Sequence, residues 1–161
     1  MKNVLIINTG GTFNKIYNPL SGELDIEQSG EAINSIAQQW LNHLEIINII
    51  GKDSLDMTDK DREKIVETIQ KEAIERVIIV HGTDTIDQTA NYLSQAMLNK
   101  KIILTGAMVP YSINPIEATA NFSSAYGYLM GIEKVGVYIS MNGVIKDYKR
   151  VIKNKEKGYF E

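Results

Sequence analysis

Apolar residues in this chain fall into short unbroken runs, separated by longer stretches in which they recur every three or four positions. The runs at residues 4–7, 45–50, 77–80, 102–104 and 135–140 are rich in valine and isoleucine and too short for helices, so they predict buried strands. Between them, residues 30–43, 59–74, 84–98 and 115–131 carry the helical period. Two helix starts are marked. Thr58 with Asp61 three positions on has the form of a capping box, and Asn114-Pro115 with Glu117 supplies a cap residue, a first-turn proline and an acid. Strand–helix alternation of this kind predicts an α/β fold: a single doubly wound parallel sheet with helices on both faces, Rossmann-like or flavodoxin-like. No linker or internal repeat interrupts residues 1–161, so one domain is expected, and the polar, lysine-rich tail after Asn142-Gly143 predicts a hairpin or an irregular arm.

Composition narrows the function classes. With 43% of 161 residues hydrophobic, the chain can bury a core without staples, and its net charge of −3 carries no basic block interleaved with aromatics. Nucleic acid is therefore not an expected partner. Cysteine is absent and the two histidines, His43 and His81, stand far apart, so neither disulfides nor a metal site is expected. The apolar run at 4–7 is too short for a signal sequence or a membrane span, which makes a cytoplasmic protein without membrane contact the expectation.

The unusual residues cluster where the predicted strands end: Thr9-Gly10-Gly11-Thr12, Asp53-Ser54-Leu55-Asp56-Met57, His81-Gly82-Thr83-Asp84-Thr85 and Thr105-Gly106-Ala107-Met108. In open parallel sheets ligands bind beyond those ends. Paired glycines allow close backbone approach and can turn N–H groups toward an oxyanion, while threonine hydroxyls supply donors or a nucleophile. Thr83 or Asp84 also serves as a natural cap for the following helix, and His81, ending an apolar run, reads as structural. Two hydroxyls across a strand-end cleft, with no Ser–His pair and no cysteine, point to acyl transfer by threonine.

In these motifs, their order and their spacing, the chain resembles the bacterial L-asparaginase family, matching its N-terminal domain over essentially the whole sequence and being most similar to its shorter, single-domain branch. The resemblance implies hydrolysis of L-asparagine, with some activity on glutamine, by double displacement. Thr12 would attack the amide carbonyl and Tyr17, in the loop at 13–23, would close over it as part of a mobile lid. Thr83, Asp84 and a lysine would form the second catalytic group. Met141-Asn142 and Val151-Ile152 place that lysine at Lys153, among neighbours at 146, 149 and 155. Gly11, Ser54, Thr83 and Asp84 would hold the substrate, and no cofactor is implied. A homo-oligomer, dimer or tetramer, is the implied assembly. The sequence departs from the family pattern at Phe13-Asn14, Leu55, Arg76 and Val109 and in matching no C-terminal domain. A non-catalytic module binding a small amino acid, or a flavodoxin-like cofactor binder, would use the same rim.

Overall fold

The structure is a computed structural model and describes residues 3–40 and 44–161, so His43 and the end of the first predicted helix lie outside the described residues. In chain order the strands are β1 (Leu5–Gly10), β2 (Lys15–Tyr17), β3 (Leu24–Ile26), β4 (Glu45–Lys52) and β5 (Arg76–Val80), followed by β6 (Lys101–Thr105), β7 (Gly136–Met141), β8 (Val144–Asp147), β9 (Lys153–Asn154) and β10 (Tyr159–Phe160). The helices are α1 (Glu31–Gln39), α2 (Asp59–Lys71), α3 (Ile86–Gln95) and α4 (Pro115–Gly131). Six strands form the central sheet in the order β4-β1-β5-β6-β7-β8. All neighbours run parallel except β8, which folds back antiparallel on β7. The chain moves outward from β1 to β4, then returns to the other side of β1 to lay down β5. That reversal puts the topological switch point between β1 and β5, where such sheets open a crevice at their carboxyl ends.

Alternation along the strands fills two cores. Leu5, Ile7, Val77, Ile79, Ile102 and Leu104 face α2 and α3 through Ile65, Ile69, Ile86 and Leu93. Ile6, Ile78, Val80 and Ile103 face α1 and α4 through Ile33, Ile36, Phe122 and Leu129. Near-continuous Val/Ile strands are what a sheet covered on both faces requires.

Four expectations change in detail. The sheet is mixed rather than wholly parallel, because the tail after Gly143 forms the hairpin strand β8. Residues 13–23, expected as a loop, contain regular structure: a 3₁₀ turn over Thr12–Asn14 leads into an antiparallel pair in which Lys15 faces Ile26 and Tyr17 faces Leu24. Helix α2 stops at Lys71 instead of 74, since the Lys100 ammonium donates to the carbonyls of Ile69 (2.8 Å), Glu72 and Ile74 (2.9 Å) and so caps its C-terminus from a distant loop. Helix α3 begins at Ile86 rather than 84 because the hydroxyl of Thr85 is drawn to the Ser54 carbonyl, and Thr83 and Asp84 bond elsewhere. The two marked helix starts form as expected: Thr58 and Asp61 exchange the reciprocal bonds of a capping box, and Asn114 accepts from Ile116 N ahead of Pro115.

Candidate active site

The carboxyl ends of β1, β4, β5 and β6 are fused by glycines. A side chain on Gly11 would place its Cβ 2.5 Å from Gly82 N and Cα, and one on Gly82 would lie 2.7 Å from Ser54 Cβ. A side chain on Gly106 would collide with the His81 carbonyl. These loops therefore meet backbone to backbone, and only residues without a Cβ permit it. Gly10 and Gly11 also adopt φ of 107° and 73°, where glycine is unstrained. Both of their N–H groups are engaged internally, Gly10 toward Asn8 Oδ1 (3.4 Å) and Gly11 on Lys52 O (2.9 Å). They do not form the free oxyanion donors that the sequence suggested. The Lys52 carbonyl reaches Gly11 through a bulge in β4, where the register shifts and Ile50 takes a φ of 74°. For a β-branched residue that is a strained conformation, here held by the loop it serves.

Thr12 leads the 3₁₀ turn and is half-buried, and its hydroxyl makes no hydrogen bond among the described residues. Thr9, by contrast, turns inward and donates to Val80 O at 2.8 Å, bracing β1 against β5. Phe13 is fully buried and meets Phe122 edge-on at 6.4 Å, so the Thr12 turn is anchored in the core immediately after the hydroxyl.

On the loop after β5, Lys153 Nζ donates to Thr83 Oγ1 at 2.8 Å and to Asp84 Oδ1 at 2.7 Å. The lysine side chain is 14% exposed and Asp84 39%. Lys153 arrives on β9, which pairs with β10 so that Lys153 faces Phe160, itself buried in the core. The neighbouring Lys146, Lys149 and Lys155 are exposed. A cavity of about 160 Å³ beside the cluster is lined by Asp84, Ile86, Val151 and Lys153 among others.

Ser54 is buried. Its Oγ accepts from Thr85 N (3.3 Å) and its carbonyl accepts from Thr85 Oγ1 (2.8 Å), so the β4 and β5 loops are tied together. The preceding Asp53 is bridged by Lys15 Nζ at 2.8 Å, which, by hydrogen bond and charge, holds its carboxyl below the usual carboxylate range. Tyr17 stands apart, 62% exposed on β2.

His81 is structural. Fully buried, it donates from Nδ1 to Gly82 O (2.7 Å) and accepts at Nε2 from Thr89 Oγ1 (2.8 Å), whose oxygen takes the Arg62 Nε–H (3.1 Å). Burial lowers its pKa from 6.5 to about 4, so the ring is neutral and its tautomer is fixed by these two bonds.

Sequence reasoning brought together Thr83, Asp84 and Lys153, and set Gly11 and Ser54 against the same loop. It missed the supporting groups. Glu117, read only as a helix-start acid, accepts from Met108 N (3.0 Å) and Val109 N (2.9 Å) and so shapes the Gly106 loop, with Asn121 donating to Gly106 O at 2.9 Å. An acid at the third position of a marked helix was the available signal.

The Asparaginase N-terminal family model matches residues 3–159. The glutaminase-asparaginase of Acinetobacter glutaminasificans is 26% identical over 155 residues, covering 89% of this chain and 47% of that protein. A glutamyl-tRNA(Gln) amidotransferase component from Methanococcus vannielii is 30% identical over 158 residues, covering 91% of this chain and 36% of that protein. The structure of the thermostable L-asparaginase from Thermococcus kodakarensis matches the fold with a TM-score of 0.83 at 23% identity, over 99% of this chain and 50% of that one. The chain thus spans about half the length, or less, of these curated relatives. With its switch-point crevice, its glycine-fused loops and a family match over nearly its whole length, this chain belongs to the asparaginase family and corresponds to that family's N-terminal domain.

Proposed function

We propose that the protein is an amidohydrolase that converts L-asparagine to L-aspartate and ammonia through an ester on Thr12, with glutamine as a poorer substrate. The observation that carries this reading is the partly buried Lys153–Thr83–Asp84 cluster on the loop whose Gly82 packs against Gly11, next to Thr12, whose hydroxyl has no partner among the described residues. A lysine in a tail is ordinarily solvated, and one held at hydrogen-bond distance from a hydroxyl and a carboxylate is suited to proton transfer.

In the first half-reaction the Thr12 oxygen attacks the side-chain carbonyl carbon, its proton passes to the departing nitrogen, and ammonia leaves. In the second, water polarised by Thr83 with Lys153 behind it attacks the ester, returning the proton to Thr12 and releasing aspartate. Asp84 keeps Oδ2 free of the lysine and suits the substrate ammonium, while the Ser54 hydroxyl retains its proton for the α-carboxylate. Gly11 contributes close approach rather than a donor. Tyr17, on the exposed hairpin, would close over Thr12. No cofactor enters these steps.

The reading includes action in the cytoplasm and assembly as a homo-oligomer. Val109, Ile113 and Ile116 are exposed beside the Gly106 loop and form an apolar stretch for a second copy to cover. No helix among the described residues is long and apolar enough to cross a membrane. The test is ammonia release from asparagine, glutamine and other small amides, before and after treatment with a chelator. Release unaffected by chelation fits the proposal; binding of asparagine without release would leave a non-catalytic binding module, and a flavin bound to the purified protein would favour a flavodoxin-like role.

A further inference from the structure

Gly10 and Gly11 leave the Thr12 turn without local stiffness, because glycine adopts many backbone conformations at little cost. A buried pair of amides supplies what the glycines lack. Asn8 and Asn14 lie six positions apart, one on either side of Thr12. Asn14 Nδ2 donates to Gly10 O at 2.7 Å and to Asn8 Oδ1 at 2.8 Å. Asn8 Nδ2 donates in return to Asn14 Oδ1 at 3.1 Å and to Asn48 Oδ1 at 3.0 Å, and Asn48 Nδ2 donates to Ser29 O at 3.0 Å. Asn8 and Asn14 are 3% and 2% exposed, and every side-chain N–H of the two has an acceptor.

We propose that Asn14, acting with Asn8, is the positioning residue of the Thr12 turn, closing a brace that fixes the nucleophile's backbone against the sheet. The proposal rests on the reading of Thr12 as the acyl acceptor. The orientation of the Asn14 amide follows from its partners, since the Gly10 carbonyl can only accept. Only an amide meets both demands. A carboxylate would oppose two acceptors, and an aliphatic side chain would leave the Gly10 carbonyl and half of the Asn8 amide buried without partners. Asn14 departs from the family pattern together with Phe13, and the two act as a unit: Phe13 anchors the turn outward in the core and Asn14 ties it inward to β1. Asn14 touches no substrate, and its effect on turnover runs through where it holds Thr12.

The test compares Asn14→Leu with the double variant Asn8→Leu/Asn14→Leu in the full chain. Asn14→Leu should speed amide exchange at Gly11 by roughly tenfold or more while leaving Ile78 and Ile79 in β5 unchanged. It should lower kcat for asparagine by about 10–100-fold with KM within about threefold. The double variant removes both amides, so part of the lost Tm should return, but kcat should stay low because the Gly10 carbonyl still lacks its donor. Unchanged exchange at Gly11, or kcat recovering in step with Tm in the double variant, would overturn the proposal. Exchange does not depend on catalysis. If the unmodified protein released no ammonia, accelerated exchange at Gly11 would still uphold the brace, while the acyl-acceptor reading alone would fall.

Discussion

The His81–Thr85 loop and the β2–β3 hairpin both carry residues proposed for the site, yet they are built in opposite ways. In the loop, His81, Thr83 and Thr85 are buried, and their polar side chains are committed to Gly82, Thr89, Lys153 and Ser54. The hairpin is fastened at its base, where Phe13 enters the core, Lys15 bridges Asp53 and the Lys15 carbonyl accepts from Ser112. Beyond that, among the described residues, it bonds to itself: Asn18 N donates to Glu23 O, Gly22 N to Asn18 O, and Asn18 Nδ2 to Asp25, leaving Tyr17 and Leu20 62% and 96% exposed. Chemistry that needs fixed distances belongs on the first kind of element, and control of access belongs on the second.

The contrast breaks first at the Lys153–Thr83–Asp84 cluster. Thr83→Ala and Lys153→Met should each lower turnover by roughly 10²–10⁴-fold, measured by ammonia release at saturating asparagine. Combining either with Thr12→Ala should add little, because groups acting as a unit are not additive. A comparable loss from Leu20→Ser would show that the hairpin tip shares the chemistry and erase the distinction.

Stability separates the base of the hairpin from its tip. Phe13→Ala should cost about 3–5 kcal/mol in urea unfolding, as expected for emptying a buried aromatic site. The pH profile then reports on the loop. Folding holds His81 neutral with a pKa of about 4 against 6.5 when exposed, so in that window the unfolded chain binds the additional proton. The contribution is therefore present in full above pH 6.5 and lost as pH falls toward 4, amounting to about 3 kcal/mol from the 1.36 kcal/mol per pKa unit. Unfolding measured from pH 7 to 4 should show this slope, and His81→Gln should flatten it. Asp53, whose carboxyl is already held low, titrates mainly below that window. Smallest of all, Leu20→Ser should change stability by no more than about 0.5 kcal/mol.

Much of this frame was legible because burial on two faces writes itself as unbroken Val/Ile runs, and because cap residues act locally. The ends of α2 and α3 were not legible. They are set by Lys100 and by Ser54, partners that sequence spacing does not bring together. The hairpin was hidden for a different reason: its strands Lys15–Tyr17 and Leu24–Ile26 are short and largely exposed, so they show no alternation between a core face and a solvent face. In the sequence Lys153 differs from the neighbouring lysines only in the resemblance of its surroundings, and what distinguishes it physically is the hairpin that packs it opposite Phe160. The Asn8–Asn14 brace left no trace in the sequence beyond an unfamiliar pair following Thr12, because amides clasping across a turn follow neither the helical nor the strand period.

Whether Thr12 carries the acyl group can be read from rapid acid quenching of the protein during turnover of L-asparagine, followed by peptide mass spectrometry. An aspartyl ester is expected on the peptide containing Thr12 and absent from Thr12→Ala, which should be nearly inactive yet fold with an almost unchanged Tm. An ester on Thr83, or a Thr12→Ala variant with full turnover, would contradict it.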